Sequence, residues 1–161
     1  MTQLLRQTWI ETKLFLRGLD NLFWTLAFPV FLVVLYGLIY GDMVWDEYGM
    51  RAFEYTLPGI VVMALMVTGI MHTAIGFAED REKGVFRRLS LTPLRPAALL
   101  GGQLLHRYGL VLVQASLILT LGSLAFGARV GGRWIELWIV ITGGALCFLS
   151  LGFLLAGMVR S

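Results

Sequence analysis

The residues of this chain that could do chemistry are concentrated in one short polar segment, Glu79–Leu94. Its first six residues read Glu-Asp-Arg-Glu-Lys-Gly, and further basic residues follow. On a helix, Glu79 and Lys83 are one turn apart with the acid first, which is the better order for a side-chain ion pair. A short apolar patch adjoins these charges and consists of Val85, Phe86 and Leu89. Charges and patch together favour docking to a soluble partner, although an ordinary solvated loop would carry the same charges.

Local signals predict where helices begin and end in this segment. We expect the first helix to continue directly from the apolar run that precedes it. It should end near Leu91, because Pro93 disfavours helical backbone angles at Thr92. A second helix could begin between Pro93 and Pro96, since proline is tolerated in a first helical turn.

Bond-making chemistry has little support in the sequence. The chain contains no G-x-x-x-x-G-K-[ST] phosphate loop, no G-x-S-x-G nucleophile motif and no H-E-x-x-H zinc motif. Its one cysteine, Cys147, leaves no cysteine cluster for a metal, and its two histidines, His72 and His106, fall in different segments. We therefore predict no catalytic, cofactor-binding or metal site on this chain and no nucleic-acid partner.

The rest of the chain is typical of a membrane protein. Of its 161 residues, 58% are hydrophobic and 14% are charged, against roughly 25% charged in ordinary soluble domains. Four stretches of 21 to 24 residues contain no charged side chain, namely 21–41, 55–78, 108–128 and 137–159. A helix needs about 20 residues to cross the hydrocarbon core. We predict an all-α integral membrane protein, with four transmembrane helices in a single membrane domain covering 1–161.

The basic residues predict the orientation of these helices. Segments 1–20 and 79–107 and the C-terminal end carry ten basic residues, whereas segments 42–54 and 129–136 carry three. Basic residues accumulate in cytoplasmic segments. We therefore place the N-terminus and 79–107 in the cytoplasm and 42–54 outside.

The leader before the first apolar run is amphipathic. If residues 1–20 are helical, apolar side chains cover one broad face and basic side chains a narrow stripe roughly opposite. Such a helix lies in the membrane interface. The residues expected to anchor it there are Arg6, Trp9, Lys13 and Arg17. A plain cytoplasmic extension of the first span is the alternative, and Gly18 marks a bend before the span.

Small and polar residues within the apolar runs predict how the helices pack. Pro29 should kink the first span near mid-membrane, because its ring removes a backbone donor. His72 is either a functional group within the membrane or, the blander account, a neutral imidazole bonded to a neighbouring helix. Gly37 and Gly41 are candidate contacts with a second copy of the chain. The third span holds polar residues expected to hydrogen-bond helices together: Gln114, Ser116, Thr120 and Ser123.

The polar segment and its place in the chain resemble a known family. Glu79–Gly84, followed by Arg88-Leu89 and Thr92-Pro93-Leu94, resembles the E-R-E-K-G-x-x-x-R-L-x-x-T-P signature of ABC-2 type transporter permeases, with Asp80 in place of glutamate. The order of leader, span, outer loop, span, charged loop and two further spans is similar to that family over the whole chain. The resemblance implies a membrane subunit of an ATP-driven exporter in a bacterial-type plasma (inner) membrane.

The resemblance also implies a division of labour between chains. Two permease subunits, identical or paralogous, would form the pathway in the lipid bilayer. Separate ATPase subunits would bind and hydrolyse ATP, so this chain would carry no cofactor. The family's cargo includes drugs, lipids and polysaccharides. The segment after the second span would be the cytoplasmic coupling helix, with the docking residues Glu79, Asp80, Arg81, Glu82, Lys83, Gly84, Val85, Phe86, Arg88, Leu89, Thr92 and Pro93.

Two further expectations follow from this comparison with the family. Gly84 would permit close approach of the permease and ATPase subunits. Family members usually have six spans, and this sequence ends just after its fourth, so it resembles a truncated product or an N-terminal fragment. The alternative functions are a non-transporting membrane scaffold or accessory protein, or an inactive N-terminal fragment of a permease.

Overall fold

Four long apolar helices form the body of the protein. They are seen in a computed structural model that describes residues 2–45, 50–84, 96–128 and 133–158. The four helices are long and apolar enough to cross a membrane, and we call them the first to fourth spans: Leu19–Tyr40, Ala52–Glu82, Leu99–Phe126 and Trp134–Met158. The predicted all-α membrane protein with four such helices is thereby confirmed, and the chain is a multi-pass membrane protein.

The first two spans are each interrupted by a π-helical turn. The N-terminal helix is α1 (Thr2–Arg17). The first span consists of α2 (Leu19–Leu22), a π turn (Phe23–Ala27) and α3 (Phe28–Tyr40). The second span consists of α4 (Ala52–Met66), a π turn (Val67–Met71) and α5 (His72–Glu82). The third span belongs to α6 (Pro96–Phe126), and the fourth is α7 (Trp134–Met158).

The two ends of the bundle are distinct. At one end, which we call the α1 end, α1 packs along the first turns of α6, and Thr8 Oγ1 donates to the carbonyl of Gly102 at 3.3 Å. At the opposite end, which we call the β end, strands β1 (Val44–Trp45) and β2 (Met50–Arg51) pair antiparallel, with Val44 opposite Arg51. This short pair has no strong sequence signal, and the sequence analysis did not predict it.

Buried apolar residues of all four spans meet in the middle of the bundle. Val33, Leu57, Val111 and Ala145 represent the four spans there, and each is at most 3% exposed. Many large apolar side chains on the outer faces are exposed instead, among them Leu38, Leu124 and Val140. In a membrane this exposure costs little, because lipid tails are as apolar as leucine, and packing rather than water exclusion holds the spans together.

Glycines allow the closest approaches between spans. Gly152 of α7 lies directly against the carbonyl oxygen of Gly69, in the π turn of the second span. A Cβ at Gly37 would overlap the ring of Phe126 in α6. Gly37 is therefore occupied within the chain, and the prediction that it contacts a second copy is wrong, because the third span already fills the space above it.

The end of the second span differs from the sequence expectation. The helix was expected to continue to about Leu91, but α5 ends at Glu82 and Gly84 has φ +65°. The prediction of one continuous helix is wrong, because a left-handed glycine just beyond the last turn ends a helix before Pro93 can do so. Residues 85–95 lie outside the described part of the chain.

The start of the third helix confirms one expectation and corrects another. A helix was expected to begin between Pro93 and Pro96, and one does begin at Pro96. The sequence analysis assigned 96–107 to the charged loop, but α6 begins at Pro96 and runs without interruption to Phe126. Polar residues such as Gln103 and Arg107 sit in its first turns, and they hydrogen-bond to other helices at the α1 end. The polar residues that lower the hydropathy of 96–107 therefore belong to a packed helical face and not to a loop.

Candidate functional site

One face of α6 carries the polar residues around which the candidate site is built. Gln103, Arg107 and Gln114 project within about 40° of one another on the helix. We call these three residues the polar face of α6. This face contacts α1, the first span and the second span. Its hydrogen bonds form two groups, a deep part around Gln114 and an outer part at the α1 end.

The deep part begins with the proline of the first span. Pro29 has no backbone N–H, so the carbonyl of Thr25, four residues earlier, lacks its usual helical donor. Gln114 supplies one instead, because its Nε2 donates to the Thr25 carbonyl at 2.6 Å. The π turn Phe23–Ala27 lies just before Pro29, at the place where the sequence predicts a kink. The third span therefore repairs a bond that the proline of the first span removes.

The same glutamine also binds the second span. Thr68, in the π turn Val67–Met71, donates its hydroxyl to Gln114 Oε1 at 2.9 Å. Thr25 Oγ1 lies 2.9 Å from Nδ1 of His72, the first residue of α5. Thr25, Thr68 and Gln114 are all buried. The imidazole of His72 is thus bonded to a neighbouring helix, which agrees with the blander of its two interpretations.

Arg107 binds the second span one step closer to the α1 end. Its Nη1 donates to the carbonyl of His72 at 2.7 Å. The guanidinium fits because Gly76 has no side chain, and a Cβ there would lie 2.7 Å from Arg107 Nη2. The guanidinium carbon also lies 5.9 Å from the centre of the Phe77 ring, within cation–π range.

The outer part joins α1 to the end of the second span. Gln103 Nε2 donates to Glu11 at 3.3 Å and to Asp80 at 3.2 Å, so one amide bridges two carboxylates. Gln7 donates to the same oxygen of Glu11 at 3.1 Å. The Oε1 atom of Gln103 is buried and has no hydrogen-bond partner among the residues that the structure describes.

A cavity opens beside this polar face at the α1 end. Its volume is about 550 Å³, and it lies between α1, α5 and α6. Charged and polar side chains make up much of its wall, including Glu11, Asp80, Lys83, His106 and Arg107. Thr12 Oγ1 lies 3.0 Å from Nδ1 of His106 and fixes that ring at the wall.

The described docking residues lie at the mouth of this cavity and just beyond it. Lys83 donates to Glu79 at 2.8 Å, which forms the predicted ion pair, and both side chains are more than half exposed. The hydrogen bond to Glu79 raises the pKa of the Lys83 ammonium. Arg81 Nη2 donates to the carbonyl of Ala156 at 3.3 Å and ties this segment to the fourth span.

Gly84 has a role within the chain itself, and the close approach of an ATPase there stays a prediction. A Cβ at Gly84 would meet nothing within 4 Å, so no close approach occurs there among the described residues. Its positive φ serves the turn after α5. The docking residues that lie outside the described part of the chain are Val85, Phe86, Arg88, Leu89, Thr92 and Pro93.

The residues predicted to anchor the leader lie on α1 away from α6. Arg6, Trp9, Lys13 and Arg17 are all exposed, and the Lys13 ammonium lies 5.5 Å from the centre of the Trp9 ring. The opposite face of α1 packs on α6 through polar residues, Thr8, Glu11 and Thr12 among them. This second face was not predicted. Gln7, Thr8, Glu11 and Thr12 recur at the three- and four-residue spacing of one helical face, and this spacing is the signal that could have revealed it.

A second cavity lies at the β end. It has a volume of about 460 Å³ and lies between the second span, the end of α6 and the fourth span. Apolar side chains such as Leu57, Val61 and Ile141 form its walls, and the ion pair between Arg133 and Glu136 lies at its rim. Within the four described ranges, no group of three or more His, Cys, Asp or Glu residues could hold a metal ion.

The chain is similar to known proteins over nearly its whole length. A family model described as ABC-2 type transporter matches residues 2–161. The chain is 26% identical over 162 residues to "Putative transport permease YvfS" of Bacillus subtilis (strain 168). The match covers 99% of this chain and 64% of that relative, so the chain spans somewhat under two thirds of its length. No solved structure gives a significant match.

Proposed function

This chain belongs to the ABC-2 type transporter family, and we propose that it acts as the membrane subunit of an ATP-driven exporter that couples to a separate ATPase. The observation that carries the proposal is the segment Glu79–Gly84. Four of its residues alternate acidic and basic charge across the end of a membrane-crossing helix, and the segment lies at the same end of the bundle as α1. Family membership and this placement together support docking of an ATPase at the α1 end.

Coupling through this segment has a structural route into the membrane. Asp80 is bonded to Gln103 of the third span, and Arg81 is bonded to the carbonyl of Ala156 in the fourth. A displacement of the docking segment therefore acts on two other spans through direct hydrogen bonds. A solvated connector without such bonds would move independently of the bundle.

The proposal requires the α1 end to face the cytoplasm, where ATP is available. A cysteine at Gly49 should react with a membrane-impermeant maleimide added outside intact cells. A cysteine at Ser90 should react only after the cells are opened. Both are introduced in a chain whose exposed Cys147 is replaced by serine. Labelling of the Ser90 position from outside would overturn the orientation and, with it, the proposed function.

The apolar patch should contribute more to ATPase association than any one charge. Burial of an aromatic side chain in a partner's pocket can contribute about 2 kcal/mol or more, so Phe86→Ala should weaken association about 30-fold. Lys83→Ala should change association little, because exposed ion pairs contribute little. The measurement is co-purification and ATP hydrolysis after both subunits are reconstituted in liposomes. Phe86 lies outside the described residues, so this expectation comes from the sequence.

Three variants distinguish a docking role of this segment from that of a solvated connector. Glu82→Lys, which places the wrong charge in the segment, should reduce transport-stimulated ATP hydrolysis while membrane insertion stays intact. If Phe86→Ala, Lys83→Ala and Glu82→Lys all bind the ATPase and hydrolyse ATP as the parent does, the segment is a solvated connector and the coupling role is wrong.

The cargo we propose is a drug, lipid or polysaccharide-type molecule, as in the family. The cavity at the β end supports an amphipathic member of this set, because its walls are apolar and charges stand only at its rim. A second copy or a paralogous permease would complete the pathway, since neither of the two cavities described above is enclosed.

A further inference from the structure

The second span contains one residue more than a regular α-helix of the same length. The extra residue is absorbed by the π turn Val67–Met71. If this turn closed into an α-helix, each residue of α5 would move to the place now held by the residue after it. That change rotates α5 by about 100° and shifts it by about 1.5 Å. π turns inside α-helices are rare and are frequent at functional sites.

Two residues of α6 that bind α5, Gln103 and Arg107, would find equivalent partners after such a shift. Glu79 would take the place of Asp80, so a carboxylate would again face the Nε2 atom of Gln103. The carbonyl of Met71 would take the place of the His72 carbonyl as the acceptor for Arg107. The present register does not satisfy every group either, because Gln103 Oε1 has no partner among the described residues.

Several contacts favour the present register. Thr25 would lose the His72 imidazole to Met71, and the Ala156 carbonyl would lose its bond from Arg81.

The contact at Gly76 is the one that substitution tests most directly. Gly76 now faces the Arg107 guanidinium at a distance that leaves no room for a Cβ. After the shift, Ile75 would stand in that place, and the guanidinium would have to move aside. The guanidinium is the far end of a flexible side chain, so the shifted register is disfavoured but accessible.

We propose that the second span has two helical registers and that Gly76 and Arg107 form the latch that holds the present one. Gln103 is a positioning residue that binds Asp80 in the present register and Glu79 in the other. The register change turns the docking segment Glu79–Gly84 by about 100° relative to the third span. The two registers do not depend on the proposed function. Only their role rests on it, which is to transmit movement between a docked ATPase and the membrane core.

Two pairs of cysteines report the register directly. In the Cys147→Ser background, one chain carries Asp80→Cys with Gln103→Cys, and the other carries Glu79→Cys with Gln103→Cys. Membrane vesicles holding the 161-residue chain are treated with a short bifunctional thiol reagent. The parent chain should give mainly the 80–103 product, because residue 80 faces residue 103 in the present register.

Breaking the latch should change which pair reacts. Gly76→Val places a branched side chain against Arg107, and a clash of this kind should lower the ratio of 80–103 to 79–103 product about tenfold. Gly59→Val is the matched control, since it lies in the same span before the π turn and a Cβ there meets nothing within 4 Å. The control should keep the parent's ratio.

Three other outcomes would overturn the latch or its link to the ATPase. The latch is refuted if the ratio of 80–103 to 79–103 product keeps the parent's value in Gly76→Val and in the milder Gly76→Ala. It is also refuted if both products disappear in both variants, because a latch decides which register forms and not whether α5 packs on α6. The assay needs no ATPase. A ratio that shifts with Gly76 but stays constant when the ATPase and ATP are added would uphold the two registers and remove the proposed coupling.

Discussion

Replacing Gln114 with leucine is expected to lower the free energy of unfolding of the bundle by about 2 kcal/mol. Leucine fills a similar volume but leaves the Thr25 carbonyl and the Thr68 hydroxyl without their partner. An unsatisfied buried group costs about 1–3 kcal/mol, and measured values within membranes lie towards the lower end. The loss is measured by unfolding the protein in mixed micelles with increasing denaturing detergent, followed by circular dichroism.

A second substitution tests the cause of that loss. Pro29→Ala restores a backbone N–H four residues after Thr25, so it supplies the donor that Gln114 now provides. The double variant should therefore regain about half of the lost stability. Ser123→Ala is the control in the same helix, because its hydroxyl bonds only within α6. If Pro29→Ala leaves the loss at Gln114→Leu unchanged, the repair of the proline by the third span is not what stabilises the site.

Replacing Gly152 with alanine is expected to be more damaging, at about 3 kcal/mol. The new Cβ would overlap the carbonyl oxygen of Gly69 and lie 2.8 Å from Thr73 Cβ. Backbone cannot move aside as a side chain can, so the fourth span must separate from the π turn of the second. The same unfolding assay measures the effect.

The neighbouring glycine of the same helix gives the opposite expectation. At Gly157 a Cβ would meet nothing within 4 Å, and alanine favours helix over glycine by about 1 kcal/mol. Gly157→Ala should therefore leave stability unchanged or raise it slightly. Equal effects at the two positions would show that the fourth span does not depend on contact with Gly69.

Hydropathy and charge were sufficient to predict the spans. Each charge-free run lies almost entirely within one of the four helices, because a membrane-crossing segment must be apolar over most of its length. Gly18, where we expected a bend, separates α1 from the first span with φ −90° and ψ 97°. The ion pair of Glu79 with Lys83 was also predicted, since both residues belong to one helical turn.

The candidate site was harder to predict, because it depends on partners distant in the sequence. Gln114 is one of several polar residues in the third span, and nothing nearby marks it as the donor for a carbonyl 89 residues earlier. The π turns are invisible for a different reason. A π turn shifts the following helical face by one residue. That shift leaves no trace in the sequence pattern when almost every residue of the run is apolar. Arg107 lies directly before the charge-free run 108–128, which is why the helical turns before that run, with Gln103, were assigned to a loop.

The packing of α1 on α6 also affects how the protein is made. The two bonds from Thr8 and Thr12 to α6 each span 94 residues of chain. At roughly 5–20 residues per second, ribosomal synthesis leaves α1 without its partner for about 5–20 s. During that interval the helix has only the bilayer surface to bind, through Trp9 and its basic side chains. The leader is thus expected to reach the lipid interface first and to be captured by the bundle only when the third span inserts, so variants that weaken its lipid contact should slow assembly more than they weaken the finished fold.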